Sequence, residues 1–423
     1  MRRVLLIAFH FPPCAVSSGL QRTLSFTRYL SRGNEWEPLV LSASSGAYPR
    51  TSQDQLGDIP GEVRVLRGPA IDIVKTVSIR GRYPRFLALP DRWNSWYFSA
   101  VPMGLSLIRK HRPDVIWSTY PIATAHSIAA TLARRSGIPW VADFRDPMVE
   151  RSEQTGNWYP EEQDLRRRRL KIEEAAVRHA ARLVFVSPSA ARLVTTRYPQ
   201  TETKCAIIPN GFDSEIFAAV QAERQPGETG RREPLTLVHS GTLYPGTTRD
   251  ATPFLHGLAH YLKDGAGPRE GLRIRLRATG FDRYYAGTIE KLGLDKIVEL
   301  LPPKSYREAI AEMLSADGLL LFQGAGSNTA IPGKLYEYLG ARRPILAFVD
   351  ETGDTAAVLR SLPVAMVGPI DDPGGVAPAL DTFVRKVTGG EIRPLSTSEL
   401  EPYSREAGAR MLSDLLSDIL SPA

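Results

Sequence analysis

Short apolar runs alternate along most of this chain with longer stretches in which apolar residues recur every three or four positions. That alternation predicts βα units, in which strands buried on both faces are covered by amphipathic helices. In the first half the apolar runs are Arg3 to Phe9, Pro38 to Ser42, Val63 to Leu66, Val115 to Ser118, Trp140 to Asp143, Leu183 to Ser187 and Cys205 to Ile208. Leu20, Leu24, Thr27 and Leu30 form one stripe at helical period, which predicts a helix after the first strand. The pattern stops at Gln221 to Glu233, which is polar, carries Pro226 and two glycines and has no apolar period, so it reads as a linker. It restarts with Leu235 to Ser240, Arg273 to Thr279, Val298 to Leu301, Gly318 to Phe322 and Pro344 to Phe348. Residues 1–220 and 234–398 are therefore expected to be two Rossmann-like domains joined by 221–233. Over 399–423, Met411, Leu412, Leu415, Leu416, Ile419 and Leu420 fall at helical spacing and predict a terminal amphipathic helix.

Composition narrows the class of protein. The 423 residues are 43% hydrophobic and 23% charged, the balance of a chain that folds in water into two or three domains. The longest apolar stretches fall well short of about 18 residues, so no membrane span is expected. The opening run Val4 to Phe9 is followed by His10, Pro12 and Pro13, and reads as a strand rather than a signal peptide. Cys14 and Cys205 stand far apart with no metal-ligand spacing, so neither a disulfide nor a zinc site is expected, and a reducing cytoplasm fits best. A net charge of +7 favours anionic partners, but no nucleic-acid-binding motif accompanies it, and nucleic acid is not expected as a partner.

In parallel sheets ligands gather just beyond the carboxyl ends of strands, and five segments there carry candidate chemistry. Ser17, Ser18 and Gly19 open the first helix and offer amides and hydroxyls to a phosphate or a sugar; a plain helix cap fits these residues equally well. His126 starts the helix after the fourth strand, where a structural role is the plainer alternative. Asp143, Arg145 and Asp146 end a buried strand, either as a site or as an internal Asp–Arg ion pair. In the second half, His239 to Arg249 forms a glycine- and hydroxyl-rich loop containing Gly241. Gly324 to Lys334 leads through Asn328, Thr329 and Pro332 into a helix that places Gly333 and Lys334 at its positive end, with Glu337 about one turn inside. Such an end suits a diphosphate, with the carboxylate placed for two vicinal hydroxyls; a capped surface helix is the plainer alternative.

Taken in order, HFPPxxxSSGLQR, DVIWSTYP, GIPWVADFRDP, VSPSA, IIPNGFD, HSGTLY and NTAIPGKLYEYLGARRPIL make the sequence resemble the family-4 retaining glycosyltransferases of the GT-B fold, over nearly the whole chain. The resemblance implies two Rossmann-like domains facing across a cleft. The N-terminal domain would take the acceptor and the C-terminal one the nucleotide-sugar donor, with the last helix packing back on the N-terminal domain. It implies that Glu337 holds the ribose hydroxyls, that Ser18 and Gly19 close over the diphosphate and sugar, and that His126 hydrogen-bonds the donor sugar. Gly241, Asn328, Thr329 and Gly333 would complete the donor site. Asp143, Arg145 and Asp146 would belong to the acceptor side or hold the cleft. The family pattern has two glutamates with seven residues between them, and here Thr329 stands at the first. Thr242 stands near the arginine of the family's Arg–Lys pair, which leaves Arg249 and Lys334 as the cations.

The reaction implied is transfer of a hexose-type sugar from a nucleoside-diphosphate sugar to an acceptor hydroxyl with retention, in polysaccharide, glycolipid or glycosylated-metabolite biosynthesis. Arg249, Lys334 and the Gly333 amide would stabilise the leaving diphosphate, so no divalent metal and no other cofactor is expected. A GT-B-fold sugar-nucleotide epimerase or hydrolase, or a non-catalytic nucleotide-binding relative, remains the alternative. Tyr83, Phe86 and Trp93 among the arginines of Arg80 to Arg92 suggest a weak peripheral contact with the inner face of a membrane. The Arg166 to Arg169 run reads as a solvated helix face, offset by neighbouring glutamates.

Overall fold

The computed structural model describes residues 1–15, 18–78, 82–151, 156–224, 234–263 and 271–421. Ser17, Arg80 and residues 225–233, most of the expected linker, lie outside the described residues. The chain divides into two compact units, Met1–Asn210 with Arg405–Ala423, and Gly211–Ser404.

The first unit is built on seven parallel strands: β1 (Arg2–Ile7), β2 (Trp36–Ala43), β3 (Arg64–Gly68), β4 (Val115–Thr119), β5 (Trp140–Arg145), β6 (Arg182–Phe185) and β7 (Cys205–Ile207). Their order is β3-β2-β1-β4-β5-β6-β7, so the chain reverses direction across the sheet between β1 and β4. All residues of β4 and β5 are buried, which explains why these strands read as unbroken apolar runs rather than alternating ones. Helix α1 (Ser18–Arg32) covers one face; helices α2 (Trp96–His111), α3 (Thr124–Ser136) and α4 (Gln163–His179) cover the other. A two-residue antiparallel ribbon, Glu150–Arg151 with Trp158–Tyr159, stands outside the sheet.

The second unit has six parallel strands: β8 (Leu235–Ser240), β9 (Leu272–Arg277), β10 (Val298–Leu301), β11 (Gly318–Gln323), β12 (Ile345–Val349) and β13 (Ala365–Pro369). The order is β10-β9-β8-β11-β12-β13, with its own reversal between β8 and β11. The edge strand β13 has no counterpart in the sequence reading. Its five residues, AMVGP, include a glycine and a proline and are mostly half-buried, so it carries no apolar run to betray it. Helices α5 (Thr252–Lys263) and α7 (Pro373–Thr388) pack on one face, and α6 (Gly333–Gly340) lies on the other. The α5–α7 contact depends on Gly257: a Cβ there would stand 2.3 Å from that of Val376.

One segment falls on a different side of the division from the one expected, and the last helix falls where the resemblance places it. Helix Ser214–Ala222 lies in the second unit, because Phe217 and Val220 pack with Val238, Ile310 and Leu319. The last helix, α8 (Arg405–Leu420), belongs to the first unit, where Ala409, Leu412 and Leu416 complete the core around Leu24, Phe26 and Trp117. Arg405 donates to Gln21 Oε1 at 3.0 Å, tying α8 to α1 at their ends. No helix among the described residues is long and apolar enough to cross a membrane.

Candidate active site

In the second unit the reversal between β8 and β11 brings together the loops that follow these two strands, the position at which parallel α/β sheets take ligands. The loops touch: Gly324 N donates to Thr248 O at 2.5 Å, and a Cβ on Gly326 would stand 2.5 Å from Thr248 Cγ2. Asp250 shapes the first loop, accepting from Gly246 N at 2.8 Å and from Thr252 N and Oγ1 at 2.9 and 2.7 Å at the start of α5. Buried Gln323 shapes the second, its Nε2 donating to Ser327 O and Ala330 O at 2.7 Å each. Pro332 precedes α6 and supplies no capping side chain, so the first amides of that helix are not satisfied by a cap. Gly333 is exposed, and a Cβ there would meet nothing within 4 Å.

Lys334 lies at the centre of this arrangement. Its Nζ is 3.1 Å from Nε2 of His239, a fully buried residue at the end of β8. His239 Nδ1 stands 2.9 Å from Leu320 O and Nε2 3.2 Å from Gly241 O; the shorter contact and the ammonium beside Nε2 assign the proton to Nδ1, which leaves Nε2 to accept from Lys334. Burial holds His239 neutral, and the nearby Lys334 and Arg249 push the same way. Lys334 itself is brought down to about 7, by burial first and by the Arg249 charge second, while Glu337 opposes the change. Gly241 has φ +116°, and a Cβ on it would stand 3.0 Å from Lys334 Nζ, so two independent constraints call for glycine here. Tyr338 closes the back of the site, accepting from Ser240 N at 3.0 Å and donating to Leu320 O at 3.2 Å.

Lys334, Gly333, Gly241, Arg249 and Glu337 are thus gathered at one end of the second sheet. Asn328 does something else: its amide donates to Thr352 Oγ1 at 3.3 Å, and a Cβ on Gly353 would meet its Oδ1 at 2.6 Å, so it ties its loop to the turn after β12. Thr329 is half-buried in that loop, and Thr242 packs beside Gly280. His239, Asp250 and Gln323 were not singled out from the sequence. Their partners lie 95, 35 and 32 residues away in the clearest cases, beyond the reach of local spacing.

In the first unit the ion pair expected at Asp143 exists, with a different partner. Asp143 is fully buried and holds Arg22 of α1 through both carboxylate oxygens, at 2.8 and 3.1 Å. Thr119 donates to the same carboxylate at 3.2 Å, and Arg22 continues to Pro209 O at 3.0 Å. Arg145 instead turns away from β5 with φ +61°, an uncommon region for a residue with a side chain. Its Nη1 reaches Tyr120 O at 3.4 Å, while its buried Nε has no hydrogen-bond partner. Asp146 and Arg145 lie close enough to interact, and His10, lowered to about 4 by burial and then by Arg145, completes the group. His126 departs from the role expected of it. It is wholly buried between Trp140 and Phe144, so no surface of its ring is open to a sugar. Its Nδ1 pairs with Ser118 Oγ at 2.7 Å, and burial lowers it to about 3, which makes it a neutral residue of the core. Ser18 begins α1, and Gly19 is buried in its first turn.

The aromatic and basic stretch around Arg92 is largely engaged within the protein. Arg92 holds Asp72 at 2.7 and 2.6 Å and lies over Trp93, while Arg85 reaches Glu162 at 3.3 Å; Phe86 is exposed. No group of three or more His, Cys, Asp or Glu side chains placed to hold a metal ion occurs among the described residues.

The family model Glycosyltransferase Family 4 matches residues 10–216. No curated protein matches the sequence. Among solved structures, the chain is similar to sucrose-phosphate synthase from Thermosynechococcus elongatus, at 14% identity and a TM-score of 0.64 over 99% of both chains. It is similar to HepE of Anabaena, solved with UDP and glucose, at 14% identity and a TM-score of 0.64, covering 99% of this chain and 100% of that one. It is also similar to the α,α-trehalose 6-phosphate synthase of Burkholderia multivorans, at 12% identity and a TM-score of 0.66, over 99% and 97% of the two chains. Two doubly wound parallel sheets, their strand-end loops and the matched residues 10–216 lead to one conclusion: the chain has the GT-B fold, and its first half matches the Glycosyltransferase Family 4 model.

Proposed function

We propose that the protein transfers a sugar from a nucleoside-diphosphate sugar to an acceptor hydroxyl with retention at the anomeric carbon, and that the second unit holds the donor. The carrying observation is the group formed by Lys334, Arg249 and the uncapped amides at Gly333, beside a loop that only Gly241 permits. When the glycosidic bond to the diphosphate breaks, negative charge builds on the departing phosphate. Cations and amides already fixed toward it stabilise that charge without reorganising, an effect worth about 10² to 10³ in rate for a single lost donor. In this reading Lys334 and Arg249 are the catalytic residues and Gly333 supplies an amide. Glu337, one turn deeper, accepts the ribose hydroxyls, and Gly241, Asn328 and Thr329 shape the donor loops. These fixed cations do the work of a divalent ion, so the reaction needs no metal. The acceptor proton passes to the departing phosphate oxygen on the same face of the sugar.

In the first unit the proposal extends to the amides at Ser18 and Gly19 and to Arg145 with Asp146. There a left-handed backbone and an unpartnered guanidinium nitrogen mark strain retained at a strand end. Asp143 holds α1 to the sheet through Arg22 and serves as support. His126 supports β4 and β5 from the core. The binding of UDP and UDP-glucose by HepE supports a uridine diphosphate donor as the first to test.

The test is a thermal-shift screen of UDP, GDP and ADP and their glucose conjugates, followed by turnover with candidate acceptors. One nucleotide should raise the melting temperature, since a ligand bound only by the native state stabilises it in proportion to ln(1 + [L]/Kd). Lys334→Ala should abolish that rise and slow turnover about 10²-fold or more. A nucleotide response that survives Lys334→Ala overturns the assignment. Release of nucleoside diphosphate at the same rate without any acceptor replaces transfer by hydrolysis.

A further inference from the structure

Away from the strand ends, on the helical layer of the first unit, lies a cavity of about 580 Å³ between α3 and α4, closed on one side by Leu89 and Pro90. The α4 side presents Arg168, Lys171, Glu174 and Arg178, residues three or four apart and therefore on one face of the helix. Arg134 contributes from α3. Four permanent cations thus surround one space against a single carboxylate. From Arg168 to Arg178 the row runs about 15 Å, ten residues at about 1.5 Å each, with apolar Ile172 and Ala175 between its ends.

The neighbouring arginines of the same helix show that this is more than a charged surface. Arg166 donates to Pro160 O and Glu161 O, Arg167 pairs with Asp164, and Arg169 donates to Met148 O. The side chains of Arg168, Lys171, Arg178 and Arg134, which line the cavity, have no hydrogen bond or ion pair among the described residues. The cations with protein partners point elsewhere, and those without share the cavity.

The cavity ends against an enclosed polar group of the core. The cavity reaches His126, whose Nε2 is buried and has no partner. Trp140 Nε1 donates to Ser118 Oγ at 2.8 Å, so the Ser118 hydroxyl is free to donate to His126 Nδ1 at 2.7 Å. The proton of the neutral imidazole then sits on Nε2, an unsatisfied donor in a protein interior. Next to it Thr131 pairs with Tyr97 at 2.9 Å, adding a polar wall. Partnerless cations from α3 and α4 and apolar side walls together select a compact anion that carries a hydrocarbon part.

We propose that this cavity binds an organic phosphate, a phosphomonoester whose anionic head is held by Arg168, Lys171, Arg178 and Arg134 and whose apolar part lies against Leu89, Pro90 and Ile172. The site is separate from the donor group of the second unit and does not rest on the donor assignment. The head belongs either to a soluble phosphate ester or to a phosphatidic-acid headgroup at a vesicle surface, since both offer the same dianion.

Calorimetric titration of the full chain with phenyl phosphate at low salt tests the site. One equivalent should bind, about tenfold more weakly in Arg168→Ala/Arg178→Ala, because charge-assisted contacts to a phosphate are lost. Binding should weaken on raising sodium chloride, since exposed charges are screened within about 10 Å at 0.1 M. Lys334→Ala keeps the titration intact if the site is the one described. Co-sedimentation with vesicles containing phosphatidic acid, lost in the same double variant, identifies the headgroup as the source; phenyl phosphate binding without co-sedimentation identifies a soluble ester. The double variant replaces two exposed residues, and an unchanged melting temperature confirms its fold. No heat of binding, or binding equal in the native chain and the double variant, overturns the proposal.

Discussion

At the scale of single residues, Lys334 decides most. Its ammonium, lowered to about 7, is half neutral near neutrality in the free protein, and a diphosphate beside it favours the charged form. Donor binding should therefore take up a proton at about pH 8, and affinity should fall by up to tenfold per pH unit above 7. Titration of UDP in two buffers of different ionisation enthalpy measures the uptake. Lys334→Arg, charged throughout, should lose it, and the absence of uptake in the native chain contradicts the role given to this lysine. The sign for folding follows from the same group. Its folded value lies below the unfolded one, so between about 7 and the unperturbed range the unfolded chain binds the extra proton and stability rises with pH. The spacing of Gly333, Lys334 and Glu337 was readable because all three lie within one helical turn or so. Nothing local announced His239 as the acceptor that positions Lys334, or Arg22 as the partner of Asp143 at a separation of 121 residues.

At the scale of elements, glycine sets how closely helices approach. Gly257 lets α5 meet α7, with Pro373 O 2.6 Å and Val376 Cβ 2.3 Å from where a methyl group would stand. Gly257→Ala should cost about 1 to 3 kcal/mol, the usual penalty of overfilling a packed contact, even though alanine is the better helix former. Chemical denaturation of the variant measures it; a variant as stable as the native chain means the two helices separate without cost. The elements themselves were mostly legible. Strands buried on both faces leave apolar runs, and all twelve runs read from the sequence overlap a strand of the two sheets. The exception, β13, shows why an edge strand escapes: with one edge unpaired and partial exposure, it tolerates glycine and proline and needs no apolar signature.

At the scale of the whole molecule, the chain leaves the first unit after Asn210 and returns at Arg405, so that unit is made of two distant pieces. Without α8 the core around Leu24, Phe26 and Trp117 lacks Ala409, Leu412 and Leu416, and burying each leucine is worth about 1.5 to 3 kcal/mol. A chain ending at Ser404 should unfold at a clearly lower temperature by calorimetry, and a synthetic peptide of residues 405–421 should restore part of the loss. Equal melting curves with and without the segment mean that α8 is an ornament of the unit. What the sequence by itself determined is whatever depends on local period and on short spacing: the alternation of strands and helices, the amphipathic last helix, and the glycine–lysine–glutamate order at the start of α6. Only the tertiary structure decided that helix Ser214–Ala222 joins the second unit, which cations share a space, and that His126 is enclosed between two aromatic rings. Those outcomes depend on contacts between residues tens to hundreds of positions apart, and the free energy of such contacts leaves no periodic trace along the chain.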